Sequence, residues 1–211
     1  MTEIHAKPVV AIIGAGPAGL FGAYSLVEQG ARIVLLNRDI KPGGLAEHGI
    51  YYDKYSIKEG LRKQFRKILD NNILSNHWLV SMVAPEMLER GEGSITIISS
   101  IGGLKGSPII GAYGISKAAD MQMARNFATE FGSRGVRVNC VAPGLIRTDM
   151  ARALWEEPET LKKSTAAAAL KRIGEPPEIA GAVVFLASRA GAFTTGQTIV
   201  CDGGATITGG A

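Results

Sequence analysis

A short apolar strand that runs directly into a glycine-rich turn restricts this fold more than any other feature of the sequence. Residues 9–13 read VVAII, a continuous apolar run typical of a strand buried on both faces of a parallel sheet. The G-x-G-x-x-G pattern of Gly14, Gly16 and Gly19 follows at once, and a helical pattern then leads to a second apolar run at 32–36. In this context the glycines predict a dinucleotide phosphate site at the helix N-terminus. The alternative is a glycine-rich turn that binds no ligand.

The same alternation of strands and helices continues towards the C-terminus. It predicts an α/β fold, a Rossmann-like doubly wound parallel sheet covered by helices in three α/β/α layers. The order 2-1-3-4-5 would leave a topological switch point beside the first strand. We expect a single domain over residues 1–211, with a dinucleotide-binding segment at 8–69 and a second segment at 70–205. The predicted strands are residues 8–13, 32–37, 94–99, 136–141 and 197–201.

Composition argues against several classes of partner. The formal charge is only +4, and aromatic residues, at 6%, do not interleave with basic ones, so nucleic acid is not an expected partner. Cys140 and Cys201 lie in strand-like runs without metal-ligand spacing, which favours reduced thiols in a cytoplasmic protein and no metal site. The start of the chain lacks signal-peptide order, and glycines interrupt the apolar run from Val9 to Leu26, so we expect no membrane span.

Residues 99–117, SSIGGLKGSPIIGAYGISK, carry the groups with the most evident chemistry. Residues four apart on a helix share a face, so a helix that begins near Gly111 would place Tyr113 beside Lys117. A nearby ammonium favours the phenolate form of a tyrosine, which can then exchange a proton with a substrate oxygen near neutral pH. Ser100, at the end of a predicted strand, could hydrogen-bond the same oxygen. The alternative is a half-exposed tyrosine beside a solvated lysine.

Ser100, Tyr113 and Lys117 in this spacing resemble the signature of the short-chain dehydrogenase/reductase family, and the resemblance covers residues 70–205. It implies an NAD(P)-dependent oxidoreductase that interconverts a small-molecule alcohol and a carbonyl. Tyr113 would be the general acid/base, Lys117 would also hold the nicotinamide ribose, and Ser100 would orient the carbonyl. Asn72 matches a helix-borne asparagine that holds a water in the family's proton relay, and Asn71 is the alternative alignment.

The resemblance also implies cofactor contacts near the predicted strand at 136–141. Pro143, Gly144, Ile146 and Thr148 match positions that contact the nicotinamide carboxamide, although Thr148 could also cap the following helix. Residues 151–171 resemble the family's variable substrate lid, and the apolar stretch at 166–170 suits a hydrophobic substrate.

A homodimer or homotetramer is expected from the last strand and from the predicted helix Tyr113–Phe131. Core packing is the alternative for the small and apolar side of that helix, which consists of Ala118, Ala119, Met121, Met123, Ala124, Phe127 and Ala128.

The end of the second predicted strand bears on the choice of cofactor. No acidic residue occupies the position where a ribose-binding carboxylate is expected, and the sequence there reads Asn37-Arg38-Asp39. Asn37 could bond a ribose hydroxyl, and Arg38 could meet a 2′-phosphate, which favours NADP. Asp39 could serve NAD if the strand ends later, and Arg38 would then be an exposed loop residue.

Residues 8–69 differ in character from the rest of the chain. They resemble the amino-terminal FAD/NAD(P)-binding segment of flavoproteins of the glutamate-synthase small-subunit and adrenodoxin-reductase type, on GAGPAGLFGAYSL and KPGGLAEHGIYYDKY. The T-G-x-x-x-G-x-G opening, the N-N-A-G strand end and two upstream strands of the short-chain family are missing. The chain therefore looks chimeric, with a junction near Leu69–Asp70. One alternative is a chimeric or truncated protein that binds nucleotide without catalysis, and another is FAD binding by the first segment.

Overall fold

The computed structural model describes residues 9–13, 26–28, 32–36, 65–107 and 109–208. Within them the chain forms a five-stranded sheet in the order β2-β1-β3-β4-β5, and every neighbouring pair is parallel. The predicted strand order is therefore confirmed. Because β1 lies between β2 and β3, the switch point falls between β1 and β3, as expected. The strands are β1 Val9–Ile13, β2 Arg32–Leu36, β3 Gly93–Ile98, β4 Val136–Pro143 and β5 Thr198–Cys201.

Helices connect the strands in the pattern expected of a doubly wound sheet. Residues 26–28 are helical, and residues 65–69 lead through a π-helical turn, Asp70–Leu74, into the first long helix. The predicted element boundaries agree within about two residues, which is the usual uncertainty at element ends. The helices are α1 Ser75–Arg90, α2 Gly111–Phe131, α3 Arg152–Trp155, α4 Pro158–Ala167 and α5 Pro176–Ala187.

Side chains of the central strands alternate between two buried clusters, one on each face of the sheet. Ile95 and Ile97 of β3 join a cluster formed with α1, α2 and β4. Ile98 belongs to the other cluster, with α5 and β1, and Ser94 donates a hydrogen bond from its hydroxyl to the Leu186 carbonyl of α5 at 3.0 Å. The sheet is therefore covered on both faces.

The apolar side of α2 packs inside the monomer. Met121, Met123, Ala124, Phe127 and Ala128 are all buried in the cluster shared with α1, β3 and β4. Core packing, the alternative to a subunit interface, is therefore correct for these five residues. The reason is that α2 lies against β3 and β4, which bury the apolar stripe.

Part of the predicted nucleotide site falls outside the described residues. This applies to Gly14, Gly16, Gly19, Asn37 and Arg38. Among the helices that are described, none combines the length and the apolar character needed to cross a membrane.

Candidate active site

The loop after β3 lies directly against α2. Residues Ile101–Gly103 form a short 3-10 turn, and a Cβ at Gly103 would lie 2.6 Å from the backbone nitrogen of Ala118. Only glycine allows this approach of loop to helix. The Ser99 hydroxyl donates a 2.7 Å hydrogen bond to the backbone carbonyl of Lys117. The end of β3 is thereby tied to the turn of α2 that carries Lys117.

Ser100 and Tyr113 both lie close to Gly102. The Ser100 Oγ accepts a hydrogen bond from the Gly102 backbone N–H at 3.1 Å. A Cβ built at Gly102 would lie 3.2 Å from Tyr113 Cε1 and 3.4 Å from Ser100 Oγ. The predicted serine and tyrosine are therefore brought together at the carboxyl end of β3.

The Lys117 side chain, which is 13% exposed, reaches towards both the sheet and the tyrosine ring. Its Nζ donates to the Ile98 carbonyl at 3.1 Å and to Asp120 Oδ2 at 3.0 Å, and it lies 5.9 Å from the centroid of the Tyr113 ring. Burial lowers the pKa of Lys117, but the Asp120 carboxylate and then Tyr113 raise it, and the net shift is upward. Lys117 therefore keeps its positive charge at neutral pH.

Asn72 supports the helical turn that carries Tyr113. It is buried in the π-helical turn, and its Nδ2 donates to Ser116 Oγ at 2.9 Å. Ser116 in turn donates from its hydroxyl to the Tyr113 backbone carbonyl at 2.7 Å. Asn71 is only half-buried, so the geometry favours Asn72 over Asn71 as the residue associated with the site. π-Helical turns occur frequently at functional sites.

The four residues predicted to meet the nicotinamide follow one another at and beyond the end of β4. Pro143 is the last residue of β4, and the Gly144 N–H donates to the Cys201 carbonyl at 2.9 Å. Ile146 pairs with Gly174 in a parallel bridge. Thr148 caps the 3-10 turn at Asp149–Ala151, since its Oγ1 accepts a hydrogen bond from the Ala151 N–H at 3.3 Å. The capping role of Thr148 is therefore confirmed.

A cavity of about 410 Å³ lies beside this segment. Its walls come from residues 145–146, 169–170, 172–174, 178–179 and 200–204, which include part of the predicted lid. Ser100, Tyr113 and Lys117 do not line it. The cavity thus adjoins the segment after β4 without containing the serine, the tyrosine or the lysine.

Three polar residues around Lys117 were not singled out from the sequence: Asn76, Ser116 and Asp120. Asp120 is fully buried, and its carboxylate contacts Lys117 and Asn76. Asp120 could have been noticed in the sequence, because it places a charge on an otherwise small and apolar helix face, three positions after the lysine. Asn76 and Ser116 carry no comparable signal, because polar residues of this kind are common on helices.

Two family models match the chain. A model described as enoyl-(acyl carrier protein) reductase matches residues 44–206, which is more than half of the chain. It begins before residue 70, where we placed the start of the resemblance. A model described as an NAD(P)-binding Rossmann-like domain matches residues 12–63. That match agrees with the distinct character of the first segment.

Curated relatives match part of the chain at substantial identity. Dehydrogenase/reductase SDR family member 4 of Bos taurus is 46% identical over 138 residues, which are 65% of this chain and 50% of the relative. The Homo sapiens protein of the same name is 38% identical over 149 residues, 71% of this chain and 54% of the relative. The chain therefore spans about half the length of the curated relatives it matches.

Solved structures share the fold over almost the whole chain. A short chain dehydrogenase/reductase family protein, 30% identical, superposes with a TM-score of 0.78 over 95% of this chain and 99% of its own. A gluconate 5-dehydrogenase from Burkholderia cenocepacia, 23% identical, has a TM-score of 0.81 over 95% of this chain and 96% of its own. The second likeness shows the fold alone. The reductase family model matches most of the length of this chain. Together with these relatives, that match shows that the chain belongs to the short-chain dehydrogenase/reductase family.

Proposed function

We propose that this protein is an NAD(P)-dependent oxidoreductase that interconverts an alcohol and a carbonyl, with Tyr113 as the general acid/base. One observation carries the proposal. The Ser100 hydroxyl and the Tyr113 ring both lie against Gly102, while the Lys117 ammonium lies 5.9 Å from the ring centroid. This group stands at the carboxyl edge of the sheet, where open α/β sheets bind their ligands.

Each side chain has a separate role in moving the proton. Tyr113 gives a proton to the carbonyl oxygen in reduction and takes it from the hydroxyl in oxidation. Ser100 donates a hydrogen bond to the same oxygen and so fixes its direction. Lys117 supplies a fixed positive charge close to Tyr113 while the proton moves. Asn72 holds the turn of α2 through Ser116, and a water beside Asn72 would connect the site to solvent.

The residues present fit a nicotinamide dinucleotide, which would donate or accept the hydride. Lysine has three N–H donors, and within the described residues only two of those on Lys117 are used, so one is left for a ribose hydroxyl. The carboxamide would meet Pro143, Gly144, Ile146 and Thr148. The phosphates would meet Gly14, Gly16 and Gly19, and Asn37 and Arg38 would meet the adenosine ribose. Arg38 favours NADP over NAD.

The remaining properties belong to the same proposal. The substrate is a small-molecule alcohol or carbonyl, and the chain forms one domain, since its described strands share one sheet. We place the protein in the cytoplasm, which agrees with two free cysteines. A homo-oligomer is supported by three large apolar side chains at successive turns: Leu74, Trp78 and Met82 are 41%, 61% and 74% exposed.

Titration with NADPH and then NADH tests the proposal, with nicotinamide fluorescence and thermal unfolding as readouts. A ligand that binds only the folded state raises the melting temperature, so we expect saturable binding and a higher Tm with NADPH. A screen of carbonyl compounds follows, in which Tyr113→Phe should lower kcat by about 100-fold or more. No binding by the folded protein would contradict the proposal. Binding without turnover would favour the non-catalytic alternative, and a yellow protein would favour FAD.

A further inference from the structure

Asp120 is a fully buried carboxylate in the middle of α2. Its neighbour Met121 is a buried core residue, and small or apolar side chains occupy most of the same helix face. A buried carboxylate is costly unless it is paired and hydrogen-bonded. The hydrogen-bond partners of Asp120 therefore indicate the role of its buried negative charge.

Both carboxylate oxygens of Asp120 are engaged, each by a different helix. Oδ2 accepts from Lys117 Nζ at 3.0 Å, and Oδ1 accepts from Asn76 Nδ2 of α1 at 2.8 Å. The same Asn76 nitrogen also donates to the Asn72 backbone carbonyl at 2.7 Å. Asp120 thus joins the lysine to the π-helical turn.

These contacts form a chain of hydrogen bonds that begins and ends on α2. From Lys117 it passes through Asp120 and Asn76 to Asn72, whose side chain donates to Ser116. Ser116 then donates to the Tyr113 carbonyl, on the same helix as Lys117. Because both ends of this chain lie on the same turn of α2, it ties the turn that bears the tyrosine and the lysine to the π-helical turn and to α1.

The ammonium group of a lysine is attached through four flexible methylene groups, so the side chain alone does not fix its position or the direction of its N–H bonds. Asp120 and the Ile98 carbonyl fix two of the three N–H directions of Lys117. We propose that Asp120 is a positioning residue, which with Asn76 holds the Lys117 ammonium beside Tyr113 and points its third N–H towards the nicotinamide end of the site. This inference rests on the proposed function, because it assigns Lys117 its task there.

The ionisable groups around the pair are consistent with a charged lysine. On α2 these are Tyr113 and Lys117 itself, and on β4 the buried Cys140 thiol interacts electrostatically with both members of the pair. Burial, and then the Asp120 carboxylate, raise the pKa of Cys140 to about 12, so this thiol stays neutral at physiological pH. Burial raises the pKa of Asp120, and the Lys117 ammonium and the Asn76 amide oppose that shift.

The first test needs no cofactor. Carbon-13 NMR of lysine Cε in the ligand-free protein follows the titration of Lys117, and the spectrum of Lys117→Met assigns the signal. Asp120→Asn should lower the pKa of Lys117, because burial continues to disfavour the charge after the carboxylate is gone. Glu86→Gln, which removes a carboxylate from an exposed pair with Arg90 at 3.3 Å, should leave that pKa unchanged. An unchanged pKa in Asp120→Asn would overturn the inference.

The second test separates positioning from folding. Asp120→Asn should lower kcat by roughly tenfold or more while its Tm remains well above the assay temperature. When Asp120→Asn is combined with Lys117→Met, kcat should fall little below that of Lys117→Met alone. A residue that acts through Lys117 has no separate effect once that lysine is removed. Equal kcat losses in both backgrounds would overturn the inference. Inactivity of the wild type would contradict the proposed function alone, because the NMR result stands independently.

Asn76→Ala is the second variant if Asp120→Asn does not fold. It leaves the lysine–aspartate pair in place and removes the donor to Asp120 Oδ1, together with the hydrogen bond from Asn76 to the Asn72 carbonyl. We expect a smaller change in the same direction, both in the Lys117 titration and in kcat. No change in either measurement would exclude Asn76 from the positioning role.

Discussion

Gly102 lies against both Ser100 and Tyr113. A Cβ there would lie 3.2 Å from the edge of the Tyr113 ring and 3.4 Å from Ser100 Oγ, which is tight for a carbon contact. The φ of Gly102 is not positive, so the backbone itself would accept an alanine. The cost of a side chain at this position therefore falls on the geometry of the site and not on the loop.

We predict that Gly102→Ala lowers kcat by roughly tenfold, because displacements well below 1 Å disturb reacting groups. The free energy of unfolding should change by less than about 1 kcal/mol. Steady-state kinetics and thermal unfolding measure the two effects separately. Gly106→Ala in the same loop is the matched control, since a Cβ there would meet nothing within 4 Å. The prediction is wrong if the two variants are equally active.

At the scale of elements, the start of α5 depends on one carboxylate. Glu178 accepts a hydrogen bond from the Glu175 backbone N–H at 2.8 Å, and Arg172 donates to both of its oxygens, at 2.6 and 2.8 Å. The Arg172 hydrogen bonds, and then the backbone bond from Glu175, lower the pKa of Glu178 to about 2. This cluster joins the helix N-terminus to one wall of the cavity.

The folded state therefore binds the Glu178 proton more weakly than the unfolded state, in which the pKa is about 4.5. Stability from Glu178 is present above pH 4.5 and is lost as the pH falls towards 2. We predict that the Tm difference between wild type and Glu178→Gln is largest near pH 6 and shrinks by pH 2.5, as calorimetry would show. High salt should also reduce it, because the pair is exposed. Glu130→Gln is the control. A difference that is independent of pH would contradict the prediction.

The sequence predicts elements better than it predicts the contacts between them. Strands such as Val136–Pro143 follow from continuous apolar runs, and a parallel sheet with right-handed crossovers leaves few possible orders. The π-helical turn at Asp70–Leu74 has no local signal, and its hydrogen bond from Asn72 to Ser116 joins positions far apart in the sequence. The spacing of Ser100, Tyr113 and Lys117 in the sequence indicates the roles proposed for them. The support from Asn76 and Asp120 joins positions 44 residues apart and was not found from the sequence.

In the molecule as a whole, the sheet separates two buried clusters, and the candidate site lies at the carboxyl edge of the sheet. The buried cluster formed with α1 and α2 lies beneath the candidate site. The buried cluster formed with α5 supplies part of the cavity wall. The turn bearing Tyr113 and Lys117 is held by Ser99, directly after β3, and by Asn72 in the π-helical turn before α1. A subunit contact on the outer side of α1 would therefore lie one helix away from the turn that bears Tyr113 and Lys117.

That outer side offers the clearest test of assembly. Leu74, Trp78 and Met82 recur every four residues, so they form one exposed apolar stripe that begins in the π-helical turn. We predict that Trp78→Glu shifts the protein to a smaller species in size-exclusion chromatography with light scattering, because a charge at the centre of an apolar contact opposes its burial. Thr129→Glu adds the same charge at an exposed position of α2 and should leave the mass unchanged. Equal masses for wild type and Trp78→Glu would place the contact elsewhere. A monomeric wild type would remove the oligomer from the proposal and leave the site, which is built from one chain, as it stands.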